Sequence, residues 1–266
     1  MKNRLLNLFS ANAKRGSFKA DASANVIELY DVLVSSEAEA AWFGGVSLPA
    51  FSAALSGMNG DVHLRINSPG GDVFAGIAMA QLIREYKSGD VIAHVDGYAA
   101  SAASLVAIAG KKCIMAPSSM MMIHKAWTFA IGNSDDLLET ADLLDKVDGQ
   151  LAVSYAAKAN KKPAEFTAMM GKDTWFTPQE AVDAGLCDEI ASDAKEPAAS
   201  AAAALWDMSA FENAPKPKAA KSPTESEKAA AALAAAAAVT AAADLAAESE
   251  RQQRVRVLQA LLVTAA

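Results

Sequence analysis

The feature that most constrains this chain is a hydrophobic period that keeps changing along residues 26–190. Short alternating runs are followed, after glycine or proline punctuation, by runs at helical spacing. Val26 to Val34 predicts a strand; Trp42, Phe43 and Gly44-Gly45 follow, and Leu48 to Leu55 predicts a helix. Asp61 to Asn67 (DVHLRIN) alternates as a strand and stops at Ser68-Pro69-Gly70-Gly71. Val73 to Tyr86 predicts a helix, with Ile77, Ala80, Leu82 and Ile83 available for packing. Asp90 to Val95 predicts a strand and Ala100 to Ala109 a helix of small residues, followed by strands at Lys112 to Met115 and Ser119 to Ile123. A long helix is expected between Asn133 and Ala159, with Leu137, Leu138, Leu144, Val147, Leu151 and Tyr155 as its apolar positions. Thr177-Pro178-Gln179-Glu180 reads as a helix start, with threonine as cap, proline at the first position and glutamate at the third; Gly185 closes that helix. Strands alternating with helices argue for an α/β domain, without choosing among α/β folds.

The texture divides the chain into four parts. Residues 1–25 read as a flexible arm with a small basic cluster at Lys2, Arg4, Lys14 and Arg15, and residues 26–191 as the folded domain. Residues 192–228 read as a low-complexity linker, in which Glu212 to Pro223 (ENAPKPKAAKSP) has little to bury. Residues 229–266 read as an Ala-rich helical tail. Alanine buries little area, so the apolar end (Val257, Leu258, Leu261, Leu262, Val263) favours a partner or self-association.

A net charge of -7 without a basic stripe argues against nucleic-acid binding. The N-terminal segment lacks an apolar core of signal-peptide type, and the alanine run is too weakly apolar for a membrane span, so a cytoplasmic protein is expected. The two cysteines, Cys113 and Cys187, form no CxxC pair, and His63, His94 and His124 have no H-x-x-x-H spacing. Neither a disulfide scaffold nor a metal site is expected, and no cofactor.

Three residues fit nucleophilic catalysis, each with a plainer reading beside it. Ser101, in GYAASAAS (97–104), follows a predicted strand at the entry to a small-residue helix, where backbone N–H groups and the helix dipole lie close. It also reads as a simple helix cap, and Ser104 is a rival nucleophile one turn on. His124 ends a predicted strand, where an imidazole can project into a cleft as a base; a half-buried histidine bonded to backbone is the alternative. Asp173 fits as the group that fixes the histidine tautomer, or as a solvated loop aspartate. Gly70 and Gly71 can turn N–H groups toward an anion, or simply make a turn.

Taken together, these segments resemble the ClpP family of serine peptidases from about Ile27 to Ile190. Asn67-Ser68-Pro69-Gly70-Gly71 resembles the family's glycine loop, Gly97 to Gly110 its nucleophile helix and Met122-Ile123-His124 its histidine motif. Asp173, ahead of Trp175-Phe176-Thr177, stands at the acidic position, and Ala184 to Asp188 (AGLCD) also matches. The resemblance implies a ClpP/crotonase-like spiral of ββα units with a long handle helix at Asn133 to Ala159, and rings of identical subunits. It implies Ser101 as nucleophile rather than Ser104, His124 as general base, Asp173 as orienter, and an oxyanion hole from Gly70 or Gly71 with the Ala102 N–H.

Two departures matter: Gly171 stands where relatives often carry an acid, and Lys125 follows the histidine, where its charge is expected to alter substrate preference or lower the imidazole pKa. The wording of Asn67 to Phe74, Asp96 to Ser104 and Thr174-Trp175, with a tail beyond a Pro/Lys linker, is most similar to the head maturation proteases of tailed phages. That branch implies ATP-independent cutting of capsid or scaffold proteins, in the host cytoplasm or inside the procapsid. The rivals are a housekeeping-type ClpP subunit working with an ATP-driven unfoldase, a crotonase-type acyl-CoA enzyme, and a scaffold protein on a retired peptidase fold.

Overall fold

Residues 4–13, 15–192 and 206–215 are described in the computed structural model. In chain order the elements are α1 (Arg4–Asn12), β1 (Ser17–Asp21), β2 (Val26–Tyr30), β3 (Leu33–Val34), α2 (Glu37–Phe43), β4 (Val46–Ser47), α3 (Leu48–Ser56), β5 (Val62–Ser68), α4 (Val73–Glu85) and β6 (Val91–Ala100). There follow α5 (Ala102–Ala109), β7 (Lys112–Met115), β8 (Met120–Ile123), α6 (Ser134–Ala159), α7 (Pro163–Met170), β9 (Thr174–Phe176), α8 (Pro178–Ala184) and β10 (Glu189–Ile190).

The α/β expectation holds. The main sheet runs β1-β2-β5-β6-β7-β10, with β8 and β9 branching from β6. All its pairings are parallel except β1 with β2 and β8 with β9. β6 is the strand that positions the site. Its first half, Ile92 to Val95, pairs with β7, and its second half, Tyr98 to Ala100, pairs with β8. The sheet therefore divides along β6, and the parallel register Ala100↔Met122 brings the ends of β6 and β8 side by side.

The core lies between this sheet and its helices. Ile27, Leu29, Leu64 and Ile66 from alternate positions of β2 and β5 meet Phe51 and Met79, all fully buried. Seven of the eight residues of α5 are buried, so this helix is apolar all round and walled in. The 26 residues of α6 span about 39 Å at ~1.5 Å per residue. Asn133 caps α6 through a reciprocal bond with Asp136, and Asn160 ends it in the left-handed conformation. The Thr177–Glu180 box and the Gly185 stop of α8 are likewise present.

Several expectations need correction. Residues 4–12 and 17–21 are a helix and an edge strand rather than a flexible arm, because Leu8 is buried and β1 pairs along its whole length with β2. Part of the expected linker is packed: Trp206, Met208 and Phe211 are buried in a second apolar cluster with Leu8, Tyr98 and Met122. The remaining linker (193–205 and 216–228) and the Ala-rich tail (229–266) lie outside the described residues. The strand expected at 26–34 breaks between Tyr30 and Leu33, and the helix expected from Ala100 starts at Ala102. Of the apolar positions expected along α6, Val147, Leu151 and Tyr155 are buried, whereas Leu137 and Leu138 stand exposed, as does Ile77 on α4. The short elements α2, α7, β9 and β10 had no clear periodic signal.

Candidate active site

Ser101 sits between β6 and α5 with φ 53° and ψ -128°, a strained strand-to-helix turn that a non-glycine residue rarely adopts. Neighbouring bonds hold it there. Its N–H donates to the Met122 carbonyl (2.9 Å), and its carbonyl accepts from both the Ser104 N–H (2.9 Å) and the Ser104 hydroxyl (2.6 Å). The Ser104 hydroxyl also meets the buried Tyr155 hydroxyl at 2.7 Å. Ser104, the rival nucleophile, is thus fully buried and tied into a bracket behind Ser101.

The parallel register Ala100↔Met122 sets the ends of β6 and β8 side by side, and Ser101 and His124 leave those two strand ends close together. Ser101 Oγ lies 2.7 Å from His124 Nε2. The imidazole is almost wholly enclosed, edge-on to Trp127 (4.4 Å between ring centroids) and to Phe211 (5.3 Å). Burial, and secondarily the Arg4 charge, pull its pKa down to about 3. The ring is therefore neutral near pH 7, with Nε2 free to accept the serine proton. Lys125, expected to exert this effect, turns instead to Asp148 of α6 (3.5 Å).

Asp173 does not take the bond expected of it. The Glu212 N–H donates to its Oδ2 (3.0 Å), and the Arg4 guanidinium stands 3.6 Å from the same oxygen. Burial raises the Asp173 pKa, opposed by the Glu212 N–H and by Arg4. His124 Nδ1, the atom an orienting carboxylate would meet, is buried without a hydrogen-bond partner, alone among the buried side-chain polar atoms of the described residues.

The glycine loop lies flush against the serine turn. A Cβ on Gly70 (φ 95°) would stand 2.7 Å from the Ala100 carbonyl and from Ser101 Cβ, and one on Gly71 (φ 145°) 2.1 Å from the Leu33 carbonyl. Only glycine fits either place. The Gly70 N–H faces Ser68 Oγ (3.2 Å) and its carbonyl accepts from the Leu33 N–H (2.8 Å). Ala102 opens α5, so its N–H has no acceptor within the helix. A cavity of about 570 Å³ opens here, lined by Ser101, His124, Gly71 and Ala102 and by the apolar side chains of Phe74, Leu105, Trp127, Leu151, Leu8 and Phe211. Among the described residues no three of His, Cys, Asp and Glu converge as a metal would require. None of their helices is long and apolar enough to cross a membrane.

Reading the sequence missed Arg4, Trp127, Phe211 and Glu212. The signal for Phe211 was WDMSAF (206–211), an aromatic island in alanine- and lysine-rich surroundings.

The Clp protease family model matches residues 51–194. An ATP-dependent Clp protease proteolytic subunit of Bacteroides fragilis is 34% identical over 132 residues, 49% of this chain and 63% of the relative. Subunit 1 of Leifsonia xyli subsp. xyli is 31% identical over 132 residues, 49% of this chain and 66% of the relative. The chain thus spans under two thirds of the length of these curated relatives.

Proposed function

Since the chain belongs to the Clp protease family, we propose that it is a serine endopeptidase in which Ser101 attacks the peptide carbonyl and His124 takes its proton. The observation that carries this reading is the 2.7 Å contact between Ser101 Oγ and a buried, neutral His124. As the Oγ–carbon bond forms, the proton passes to Nε2 and the carbonyl oxygen becomes an oxyanion. The Ala102 N–H, with that of Gly71, is suited to receive this charge at the start of α5; Gly70, already bonded to Ser68, supports the loop. The imidazolium then protonates the leaving amine. Water, deprotonated by the same ring, hydrolyses the acyl-enzyme and restores Ser101. Asp173 has the role of holding the Nδ1–H and stabilising the imidazolium, once it reaches His124.

The successive strand–helix crossovers are the units from which the family's ββα spiral is built, α6 serves as its handle, and subunits of this kind close into rings. For the biological substrate we favour capsid or scaffold proteins, cut without ATP. This is supported by the similarity of residues 67–74, 96–104 and 174–175 to phage head maturation proteases. The second reading, a proteolytic subunit working with an ATP-driven unfoldase in the cytoplasm, is favoured by the names of the relatives. Intact-mass analysis of the protein and its Ser101→Ala form, each mixed with capsid and scaffold precursors, tests the reading. Defined fragments are expected only with Ser101 present. Cleavage that persists in Ser101→Ala removes the assignment, and cleavage only with an unfoldase and ATP selects the second reading.

A further inference from the structure

The Asp173 carboxylate is engaged by two distant parts of the same chain, Arg4 and Glu212. Residues 206–213 lie across the site as a strap. Trp206 is buried and donates its Nε1–H to the Asn67 carbonyl (3.0 Å), at the start of the glycine loop. Phe211 is buried against His124 and Trp127 and forms part of the cavity wall that also holds Ser101. Further bonds hold the backbone of the strap between and just beyond these anchors. Asn12 of α1 accepts from the Asp207 N–H (2.7 Å) and donates to the Asp207 carbonyl (2.9 Å). The Trp175 Nε1–H donates to the Glu212 carbonyl (3.0 Å). Arg4 clamps the far end: its Nε–H donates to the Ala210 carbonyl (3.1 Å), and its guanidinium pairs with Glu212 (2.9 Å) and lies over the Trp127 ring (4.8 Å).

We propose that residues 206–213, clamped by Arg4, form a latch that walls one side of the site and keeps Asp173 from His124, so that the chain is a latent peptidase until the strap leaves. The proposal rests on the peptidase reading above. Two independent observations meet in it. The strap is bound as a peptide would be, through aromatic anchors and backbone hydrogen bonds, beside the nucleophile. The two groups that should bond each other do not: the Asp173 carboxylate accepts from the strap's Glu212 N–H, while His124 Nδ1 is buried with no partner. A buried donor without an acceptor is costly, so the latched state holds the site in an arrangement that release of Glu212 and Arg4 relieves. Ser101 and His124 are already in contact, so the one group that must still move is Asp173.

The test uses the full chain with three substitutions: Trp206→Ala with Phe211→Ala to loosen the anchors, and separately Arg4→Gln, which leaves the anchors intact should the double variant fail to fold. A fluorophosphonate probe reports Ser101 reactivity by intact mass, with Ser101→Ala as blank. Proton NMR reports the Nδ1–H resonance, shifted strongly downfield when a histidine bonds a carboxylate. With the strap docked in ~90% of molecules or more, release raises labelling about tenfold or more. The downfield resonance then appears in the variants and not in the parent. Variants that fold, label at the parent's rate and show no new resonance overturn the latch while the peptidase reading stands. Slower labelling after loss of Phe211 also overturns it, making Phe211 a wall of the substrate site. No labelling in any form overturns the peptidase reading and the latch with it.

Discussion

Lowering the pH should unfold this protein through His124, by an amount the site itself dictates. The folded imidazole has its pKa pulled to about 3, whereas the exposed ring of the unfolded chain keeps the ordinary 6.5. Between these values the unfolded chain binds a proton that the folded one refuses. The contribution of the neutral buried ring is therefore fully present above pH 6.5 and lost as the pH falls toward 3. The slope for one such group approaches about 1.4 kcal/mol per pH unit below pH 6, which amounts to roughly 2 kcal/mol between pH 6.5 and 4.5. Asp31, Asp96 and Asp173, raised by burial, act in the opposite sense, since each takes up its proton in the folded state first. His94, pulled down to about 4, adds to the loss. Comparison with His124→Gln separates these terms, because the other four groups are common to both proteins. Urea titrations from pH 7.5 to 4.5 should show the parent losing stability more steeply than His124→Gln, the two curves converging as the pH falls. Parallel curves across this window would refute the assignment of a neutral buried imidazole.

Gly71→Ala forces a Cβ to 2.1 Å from the Leu33 carbonyl at a φ of 145°; a loss of about 3 kcal/mol or more and of fluorophosphonate labelling is expected, read from a denaturant midpoint and intact mass. Tyr155→Phe removes the hydroxyl that meets Ser104 at 2.7 Å; because Ser104 keeps its bond to the Ser101 carbonyl, a modest cost of about 1–2 kcal/mol is expected in urea titration.

What the sequence made legible was local or periodic. The β5 alternation, the glycine loop, the small-residue helix α5 and the Thr177 capping box each announce themselves within a few residues, and all are present. The Ser101 and His124 candidates were legible through resemblance, and what brings them into contact is a parallel register, Ala100↔Met122, that no local pattern contains. Segments far apart in the chain were not legible. Arg4 and Glu212 are separated by about two hundred residues, and an arginine in a basic arm gives no sign that it will meet a glutamate in a proline-bearing linker. The arm and linker readings failed together, since each segment finds its apolar cover in the other: Leu8 of α1 shares a cluster with Trp206, Met208 and Phe211.

The same contrast shows which part of the site can carry control. Ser101 and His124 are built into the sheet: one leaves β6, the other leaves β8, and the Ser101 N–H to Met122 carbonyl bond locks the two strand ends together. Moving either would break the ladder that supports the core. Asp173 has no such tether. It lies between α7 and β9 with φ 47°, and its N–H reaches back to Met170 at 3.3 Å. Its carboxylate goes to whichever donors are nearest. A device that switches such a site at small structural cost must act on the acid, leaving the nucleophile and base in register. The strap does this by offering Asp173 an N–H and a guanidinium in place of the imidazole. In the proposed mechanism, holding the acid away would remove the group that stabilises the imidazolium, which would disfavour proton transfer from Ser101 although the 2.7 Å contact is already made.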